Sequence, residues 1–115
     1  LEIQKGVDLM DQKSPEQAQF HFESIIKKYP DFAEAHNKLA TVLYITEDYE
    51  EAIKECEVTL GMNPNHFGAW HGKGLCLYKV ARYSEAIESF KSALKIQPYA
   101  DINRVYIATC RGNLN

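Results

Sequence analysis

Apolar and polar positions follow a helical periodicity along the chain, and the whole pattern returns after 34 residues. Pro30, Pro64 and Pro98 mark this interval. Shifting the sequence by 34 positions superimposes further pairs of identical residues: Leu43 on Leu77, Tyr44 on Tyr78, Tyr49 on Tyr83, Ala52 on Ala86, Ile53 on Ile87 and Leu60 on Leu94. A fixed period of about 34 residues is typical of stacked helix pairs. The pattern therefore predicts one two-helix unit that is copied about three times.

Turn and capping residues predict where the helices begin and end. A proline closes each second helix, because its ring nitrogen cannot continue the backbone hydrogen bonds. Ser14 before Pro15 indicates a helix start with a capping box, and Asp31, Asp48 and Asn65 indicate three further N-caps. We expect seven helices, near residues 1–12, 15–28, 32–45, 49–61, 66–79, 83–96 and 101–111.

The repeated unit resembles the tetratricopeptide repeat, whose first helix carries an aromatic residue, a Leu-Gly pair and a Tyr, and whose second carries Ala-x3-Phe before Pro. The 67–100 copy matches this pattern with Trp70, Gly74, Ala86, Phe90 and Pro98. It departs from it at Lys73 and Leu77, and the 33–66 copy departs at Cys56. The resemblance implies an all-α fold, a right-handed α-α superhelix (solenoid) of antiparallel helix pairs. The implied repeats cover about 1–32, 33–66 and 67–100, and a capping helix follows over 101–111.

The length and charge favour a small soluble domain. The 115 residues suffice for one domain, 1–115, whose core lies between neighbouring repeats. A net charge of −3 argues against a nucleic-acid partner, since binding phosphates needs clustered Lys and Arg. No apolar run reaches the roughly 20 residues that cross a bilayer, so membrane insertion is not expected. Because the chain starts at Leu1, without Met and inside a first repeat, we interpret it as part of a longer protein.

The cysteine and histidine positions favour neither disulfides nor metal binding. Cys76 and Cys110 fall at equivalent places of adjacent first helices, whose axes lie about 8–10 Å apart, whereas a disulfide joins Cα atoms within about 7 Å. We therefore expect free thiols in a reducing intracellular compartment, the cytoplasm or an organelle. His66 and His71 are five residues apart and do not share a helical face, so no metal site is expected. No catalytic triad or cofactor-binding motif occurs, and the chain is predicted not to be an enzyme.

The first helix of each pair is predicted to line a concave groove, as in other helical-repeat arrays. The residues assigned to the core are Leu39, Ala40, Leu43, Ala52, Cys56, Leu60, Trp70, Gly74, Leu77, Ala86, Phe90 and Leu94. The positions assigned to the groove are Val7, Met10, Asn37, Lys38, Thr41, Tyr44, His71, Gly72, Leu75, Tyr78, Val105, Tyr106 and Thr109. Tyr44 and Tyr78 combine apolar area with a hydrogen-bonding tip. Gly72 costs helix stability and would leave room for a ligand beside His71.

These residues predict a non-catalytic protein-interaction module, an adaptor or scaffold that binds a peptide or helix of a partner in the groove. Some members of the family bind the acidic C-terminal tail of heat-shock chaperones through a clamp of Lys, Asn and Arg. Neither possible register carries that clamp here, since its positions hold Ile3, Val7, Lys38, Gly68 and Gly72, or Asn37, Thr41, Gly72, Ile102 and Tyr106. A chaperone tail is therefore not the expected ligand, and a more apolar or aromatic peptide is.

Two alternatives remain open at this point. One is a structural or oligomerisation module, in which the exposed first or last helix pairs with a second copy of the chain. Sedimentation as a monomer at every concentration would argue against it. The other is a substrate-presenting arm of an enzyme whose catalytic domain lies outside residues 1–115. The sequence beyond either end would separate this alternative from the interaction module.

Overall fold

Seven α-helices account for most of the chain in this computed structural model, which describes residues 2–11 and 14–115, without the side chains of residues 10 and 11. The helices are α1 Glu2–Asp11, α2 Pro15–Lys28, α3 Ala33–Ile45, α4 Tyr49–Met62, α5 Phe67–Lys79, α6 Tyr83–Ile96 and α7 Ile102–Leu114. No β-strand occurs in these described ranges. The predicted all-α fold is confirmed, although α7 continues to Leu114 and does not end at residue 111.

Each helix packs against the next one along the chain, and alternate helices also meet. The first helix of each pair contacts the first helix of the next, α1 with α3 and α3 with α5. Three helix pairs, α1/α2, α3/α4 and α5/α6, therefore stack side by side, and α7 packs against α6 as half of a further pair. The stack is elongated, with extents of 43 × 25 × 22 Å. It brings the first helices together on one side, where the groove is predicted.

The first and third repeats build their cores from a glycine on one helix and a phenylalanine on the next. Phe22 and Phe90 are fully buried, and their rings lie against Gly6 and Gly74 respectively. A Cβ atom at position 74 would lie 2.6 Å from the ring of Phe90, which is closer than real Cβ contacts. The glycine is therefore required by the ring that packs on it.

The middle repeat uses a different pair of residues at the same place. Ala40 and Cys56 follow Gly6 and Phe22 by 34 positions, and both are buried. A thiol needs less space than a phenyl ring, and it leaves room for the methyl group of Ala40. From repeat to repeat, the first-helix residue is thus smaller where its partner on the second helix is larger, as close packing demands.

A side-chain N–H group on each of three first helices donates to the carbonyl oxygen of the proline that closes the preceding repeat. The three bonds run from His36 Nε2 to Pro30 (2.9 Å), from Trp70 Nε1 to Pro64 (2.8 Å) and from Arg104 Nη1 to Pro98 (2.6 Å). The donors are 34 positions apart, like the prolines. Each bond holds the turn between the second helix of one repeat and the first helix of the next.

Trp70 and Leu94 are only partly buried, and the prediction that both belong to the core is wrong in this respect. The indole of Trp70 stays near the surface, because its N–H group reaches the carbonyl of Pro64. The ammonium group of Lys73 lies over the indole ring, 5.7 Å from its centroid. Leu94 packs against the buried cluster from its edge. The other predicted core residues are buried.

The helices start close to the predicted residues, but their caps differ from the prediction. Ser14 and Asp48 are the N-cap residues of α2 and α4, yet neither side chain makes a capping hydrogen bond, so the predicted capping box at α2 is wrong. The carboxylate of Asp48 accepts a hydrogen bond from Thr46 Oγ1 at 2.6 Å instead. At α3 the N-cap is Phe32 and not Asp31, because the helix begins one residue later than predicted.

His66 caps α5 in place of the predicted Asn65. Its Nδ1 atom accepts a hydrogen bond from the backbone N–H of Ala69 at 3.0 Å. Its Nε2 atom therefore carries the proton and donates to the carboxylate of Glu34 on α3, at 3.2 Å. One imidazole ring thus satisfies a helix terminus and links two repeats. Asn65 lies in the preceding turn, where its backbone N–H donates to the side chain of Asn63.

Candidate peptide-binding groove

One pocket lies between the first helices α3 and α5, with a volume of about 160 Å³. Six of the predicted groove residues line it: Asn37, Thr41, Tyr44, His71, Gly72 and Leu75. Ala40, Cys56, Gly68 and Cys76 complete the lining. The side chains that the periodicity places on the groove face of two different helices therefore converge on a single concavity.

The lining of this pocket contains no Asp, Glu, Lys or Arg. Burial raises the pKa of Cys56 and of Cys76 to about 12, so both thiols remain protonated at neutral pH. Burial also raises the pKa of the Tyr44 hydroxyl, which stays neutral as well. The pocket is suited to an uncharged ligand group, because a buried charge without a partner is strongly unfavourable.

An aromatic cluster lies beside the pocket, between α5, α6 and α7. Tyr106 stacks on Phe90 with ring centroids 5.1 Å apart, and it meets Tyr78 edge-on at 5.6 Å. His71 contacts the same cluster, at 5.8 Å from Phe90 and 6.3 Å from Tyr106. Ring pairs of this kind contribute about 0.5–1.5 kcal/mol each beyond the area that they bury. The predicted groove residues Tyr78 and Tyr106 thus belong to a packed wall next to the pocket.

Asn103 fixes the orientation of His71. Asn103 was not among the functional residues predicted from the sequence. Its side chain is fully buried, and Nδ2 donates to the carbonyl of Ala100 at 3.0 Å. Oδ1 therefore accepts, and the Nδ1–H group of His71 donates to it at 2.8 Å. The spacing along α7 could have predicted that Asn103 is buried, since it precedes the buried residues Ile107 and Cys110 by four and seven positions. A polar residue on such a face needs a partner.

Four further predicted groove residues, Val7, Lys38, Val105 and Thr109, do not line the pocket. Val7 is partly buried against the core. Lys38 forms an ion pair of 3.8 Å with a glutamate one turn earlier on the same helix. Val105 is 57% exposed, and the hydroxyl of Thr109 donates to its carbonyl oxygen at 2.9 Å. The side chain of Met10 lies outside the described residues.

A larger depression of about 460 Å³ lies between α5 and α6, with one lining residue from α4, where the sequence predicted no site. Its main charged side chains are paired within the chain. Lys73 lies 3.4 Å from the carboxylate of Glu57, and Arg82 lies 2.5 Å from that of Glu85. Because these charged side chains already form ion pairs with one another, they are poor partners for a charged ligand. Such a ligand would lose its hydration on binding without gaining an equivalent contact. The pocket between α3 and α5 is the better candidate site.

The described residues provide no cluster of metal ligands and no membrane span. Within residues 2–11 and 14–115, no three His, Cys, Asp or Glu side chains are grouped so that they could hold a metal ion. The three cysteines are free and buried. No helix described for this chain combines the length and the apolar character that crossing a membrane requires.

Curated relatives of this chain carry the same repeat. The tetratricopeptide repeat-containing protein trd-1 of Caenorhabditis elegans is 29% identical over 66 residues, which cover 57% of this chain and 9% of that protein. A TPR repeat-containing protein of Rhizobium etli is 28% identical over 88 residues, which cover 76% of this chain and 43% of that protein. The chain therefore spans less than half the length of either relative.

A solved tetratricopeptide-repeat domain superposes on nearly the whole chain. The first such domain of Spaghetti (RPAP3), solved with the HSP90 peptide SRMEEVD, matches with a TM-score of 0.96 and 14% sequence identity. The match covers 98% of this chain and 90% of that one. At this level of identity the likeness concerns the fold alone. It agrees with the predicted superhelix of antiparallel helix pairs.

The family is shown by a match to most of the chain. The family model described as anaphase-promoting complex, cyclosome, subunit 3 matches residues 11–93. The seven described helices fit three tetratricopeptide repeats and a C-terminal helix, as the sequence pattern predicted. The predicted resemblance is therefore confirmed. This chain belongs to the tetratricopeptide-repeat family described as anaphase-promoting complex, cyclosome, subunit 3.

Proposed function

We propose that this chain is a non-catalytic protein-interaction module, which binds a segment of a partner protein in the groove formed by its first helices. The observation that carries this proposal is the pocket between α3 and α5, which is lined by six residues assigned to the groove from the sequence. Amphipathic rings such as those of Tyr44 and Tyr78 are typical of peptide-binding surfaces. Solved tetratricopeptide-repeat domains of similar fold hold an HSP90 peptide and an HSP70 peptide, which supports the same role here.

The ligand that we propose is an uncharged, apolar or aromatic segment and not an acidic chaperone tail. The peptides in those two structures, SRMEEVD and SGPTIEEVD, are acidic near their C-terminal ends. In this chain Gly68 and Gly72 offer no side chain at the pocket, and Lys38 already pairs with Glu34 at 3.8 Å. An acidic tail would therefore find few free cations along α3 and α5.

Replacing Tyr44 and Tyr78 together by Ala is expected to weaken peptide binding by at least about thirtyfold. Aromatic residues at the centre of an interface commonly contribute about 2 kcal/mol or more, and 1.4 kcal/mol is a factor of ten. The measurement uses peptides selected from a displayed random library against the unmodified chain. Their dissociation constants are determined by fluorescence anisotropy for the unmodified and the doubly substituted chain.

The matched control for this experiment is the double substitution Tyr29→Ala/Tyr99→Ala. Both tyrosines lie outside the predicted groove, and they are 57% and 80% exposed. Circular dichroism should show native helicity in both double variants. Binding that survives the loss of Tyr44 and Tyr78, or that falls equally in the control, contradicts the groove as the binding surface.

A second candidate function is assembly through the last helix. Ile102 and Val105 lie one turn apart on α7 and are 51% and 57% exposed, and contiguous exposed apolar side chains mark contact surfaces. If a second copy covers them, the average mass in sedimentation equilibrium rises with concentration, and Val105→Asp abolishes the rise. The mass of a single chain at every concentration contradicts this candidate.

A further inference from the structure

The space between neighbouring first helices is filled differently at two successive interfaces. Between α5 and α7 the ring of Tyr106 occupies it. This ring stacks on Phe90 at 5.1 Å and meets Tyr78 edge-on at 5.6 Å. At this interface the chain therefore supplies its own aromatic ring, and three rings pack together.

One period earlier, two of those three rings are missing. The residues 34 positions before Tyr106 and Phe90 are Gly72 and Cys56, while the third ring is retained as Tyr44. Gly72, Cys56 and Tyr44 all line the pocket between α3 and α5. The pocket is therefore the space that aromatic side chains fill at the next interface.

Packing does not require a glycine at position 72. A Cβ atom there would have Cys56 Sγ as its nearest neighbour, at the ordinary contact distance of 3.6 Å. At Gly74, in contrast, a Cβ atom would collide with the ring of Phe90. A glycine inside a helix costs about 1 kcal/mol relative to Ala. The chain thus forgoes helix stability at Gly72 and leaves the pocket open, which indicates a ligand in that space.

The size and chemistry of the pocket fit one aromatic ring. Its volume is about 160 Å³, and an apolar cavity of about 150 Å³ holds a benzene molecule. The lining contains no Asp, Glu, Lys or Arg, so a charged side chain would lose its hydration without gaining an ion partner. Asn37, Thr41 and His71 each donate one hydrogen bond within the chain, and at the pocket Asn37 Oδ1, Thr41 Oγ1 and His71 Nε2 keep acceptor capacity for a phenol hydroxyl.

We propose that this pocket binds one aromatic side chain, of tyrosine or phenylalanine type, from the partner segment. The bound ring takes the place that Tyr106 takes at the interface between α5 and α7. This inference rests on the proposed function and adds the class of residue that the groove recognises.

The test uses peptides selected from a random library displayed on phage. We expect the selected peptides to share one aromatic residue, and its replacement by Ala to weaken binding by about tenfold or more. Gly72→Tyr should weaken binding of the original peptide to a similar degree, because its own ring fills the pocket. The selected peptide and its variant with Ala in place of the aromatic residue should bind to Gly72→Tyr with equal dissociation constants.

The matched control is Gly61→Tyr, since a Cβ atom at Gly61 has no neighbour within 4 Å. This variant should bind the peptides like the unmodified chain. Selected peptides without a shared aromatic residue, or full binding by Gly72→Tyr, overturn the pocket assignment. If such peptides still lose binding in the Tyr44→Ala/Tyr78→Ala chain, the proposed function stands and only the aromatic pocket fails.

p-Cresol, an analogue of the tyrosine side chain, tests the pocket without any peptide. It should shift the amide NMR resonances of Gly68 and Gly72 in the unmodified chain, and it should leave Gly68 unshifted in Gly72→Tyr. A thermal unfolding midpoint at or above that of the unmodified chain shows that Gly72→Tyr is folded. No shift at millimolar p-cresol overturns the aromatic pocket. Shifts in a chain that selects no peptide support the pocket and contradict the proposed function.

Discussion

Replacing Phe90 by Ala is expected to lower the free energy of unfolding by about 4 kcal/mol, because truncating a buried Phe costs roughly 3–5 kcal/mol. The ring is fully buried, stacks on Tyr106 at 5.1 Å and contacts His71 at 5.8 Å. Its removal leaves a cavity between α5, α6 and α7, since Gly74 opposite has no side chain with which to fill it. Urea unfolding followed by circular dichroism measures the loss.

Phe20→Ala is the control for this prediction, because it removes the same ring from a position that is 73% exposed on α2. We expect it to change the free energy of unfolding by no more than about 0.5 kcal/mol. Equal losses for the two variants, or a loss below about 1 kcal/mol for Phe90→Ala, would show that this ring does not support the end of the stack.

Gly74→Ala is expected to have opposite effects in two backgrounds. In the unmodified chain the new Cβ atom meets the ring of Phe90 at 2.6 Å, and such overpacking destabilises by about 2 kcal/mol. In the Phe90→Cys chain the ring is absent, and the higher helix propensity of Ala stabilises by about 1 kcal/mol. The double variant reproduces in the third repeat the pair that Ala40 and Cys56 form in the second.

A double-mutant cycle in urea measures this reversal of sign. The four chains are the unmodified one, the two single variants and the double variant. Residues in direct contact have coupling energies of roughly 0.5–3 kcal/mol, and the expected coupling lies at the upper end of that range. If Gly74→Ala changes the free energy of unfolding in the same direction in both backgrounds, the size of the residue at position 90 does not determine which residue is tolerated at position 74.

The helices of this chain could be predicted because their signals are local and repeated. A proline every 34 residues and a three- to four-residue apolar spacing define each helix without knowledge of its neighbours. The degree of burial at Trp70 could not be predicted in this way. Periodicity identifies the face of a helix, whereas the indole of Trp70 ends at the surface because the carbonyl of Pro64 lies there. The cap at His66 was missed because its imidazole serves both Ala69 and Glu34.

Some residues that line the pocket could be predicted from the sequence, and others could not. Asn37, Thr41 and Tyr44 follow one another at four- and three-residue spacing, so the helical period places them on one face of α3. Cys56 and Cys76, in contrast, satisfy the apolar pattern of a core. A pocket arises where the side chains do not fill the space between helices. The apolar pattern shows which positions face the core, but it does not show how large their side chains are. Gly72 was a local sign of missing volume, whereas the absence of a ring at Cys56 becomes visible only when each repeat is compared with the next.

The hydrogen bonds to the three repeat-closing prolines bear on how such chains diverge. An imidazole, an indole and a guanidinium group make the same contact at His36, Trp70 and Arg104. What the three repeats share at this position is therefore an N–H group at one point in space, and not an amino acid. A sequence comparison scores these three residues as unrelated, although they are interchangeable in this contact. Two repeats can therefore keep the same backbone contact without an identical residue at this position, and residue identity alone understates their likeness.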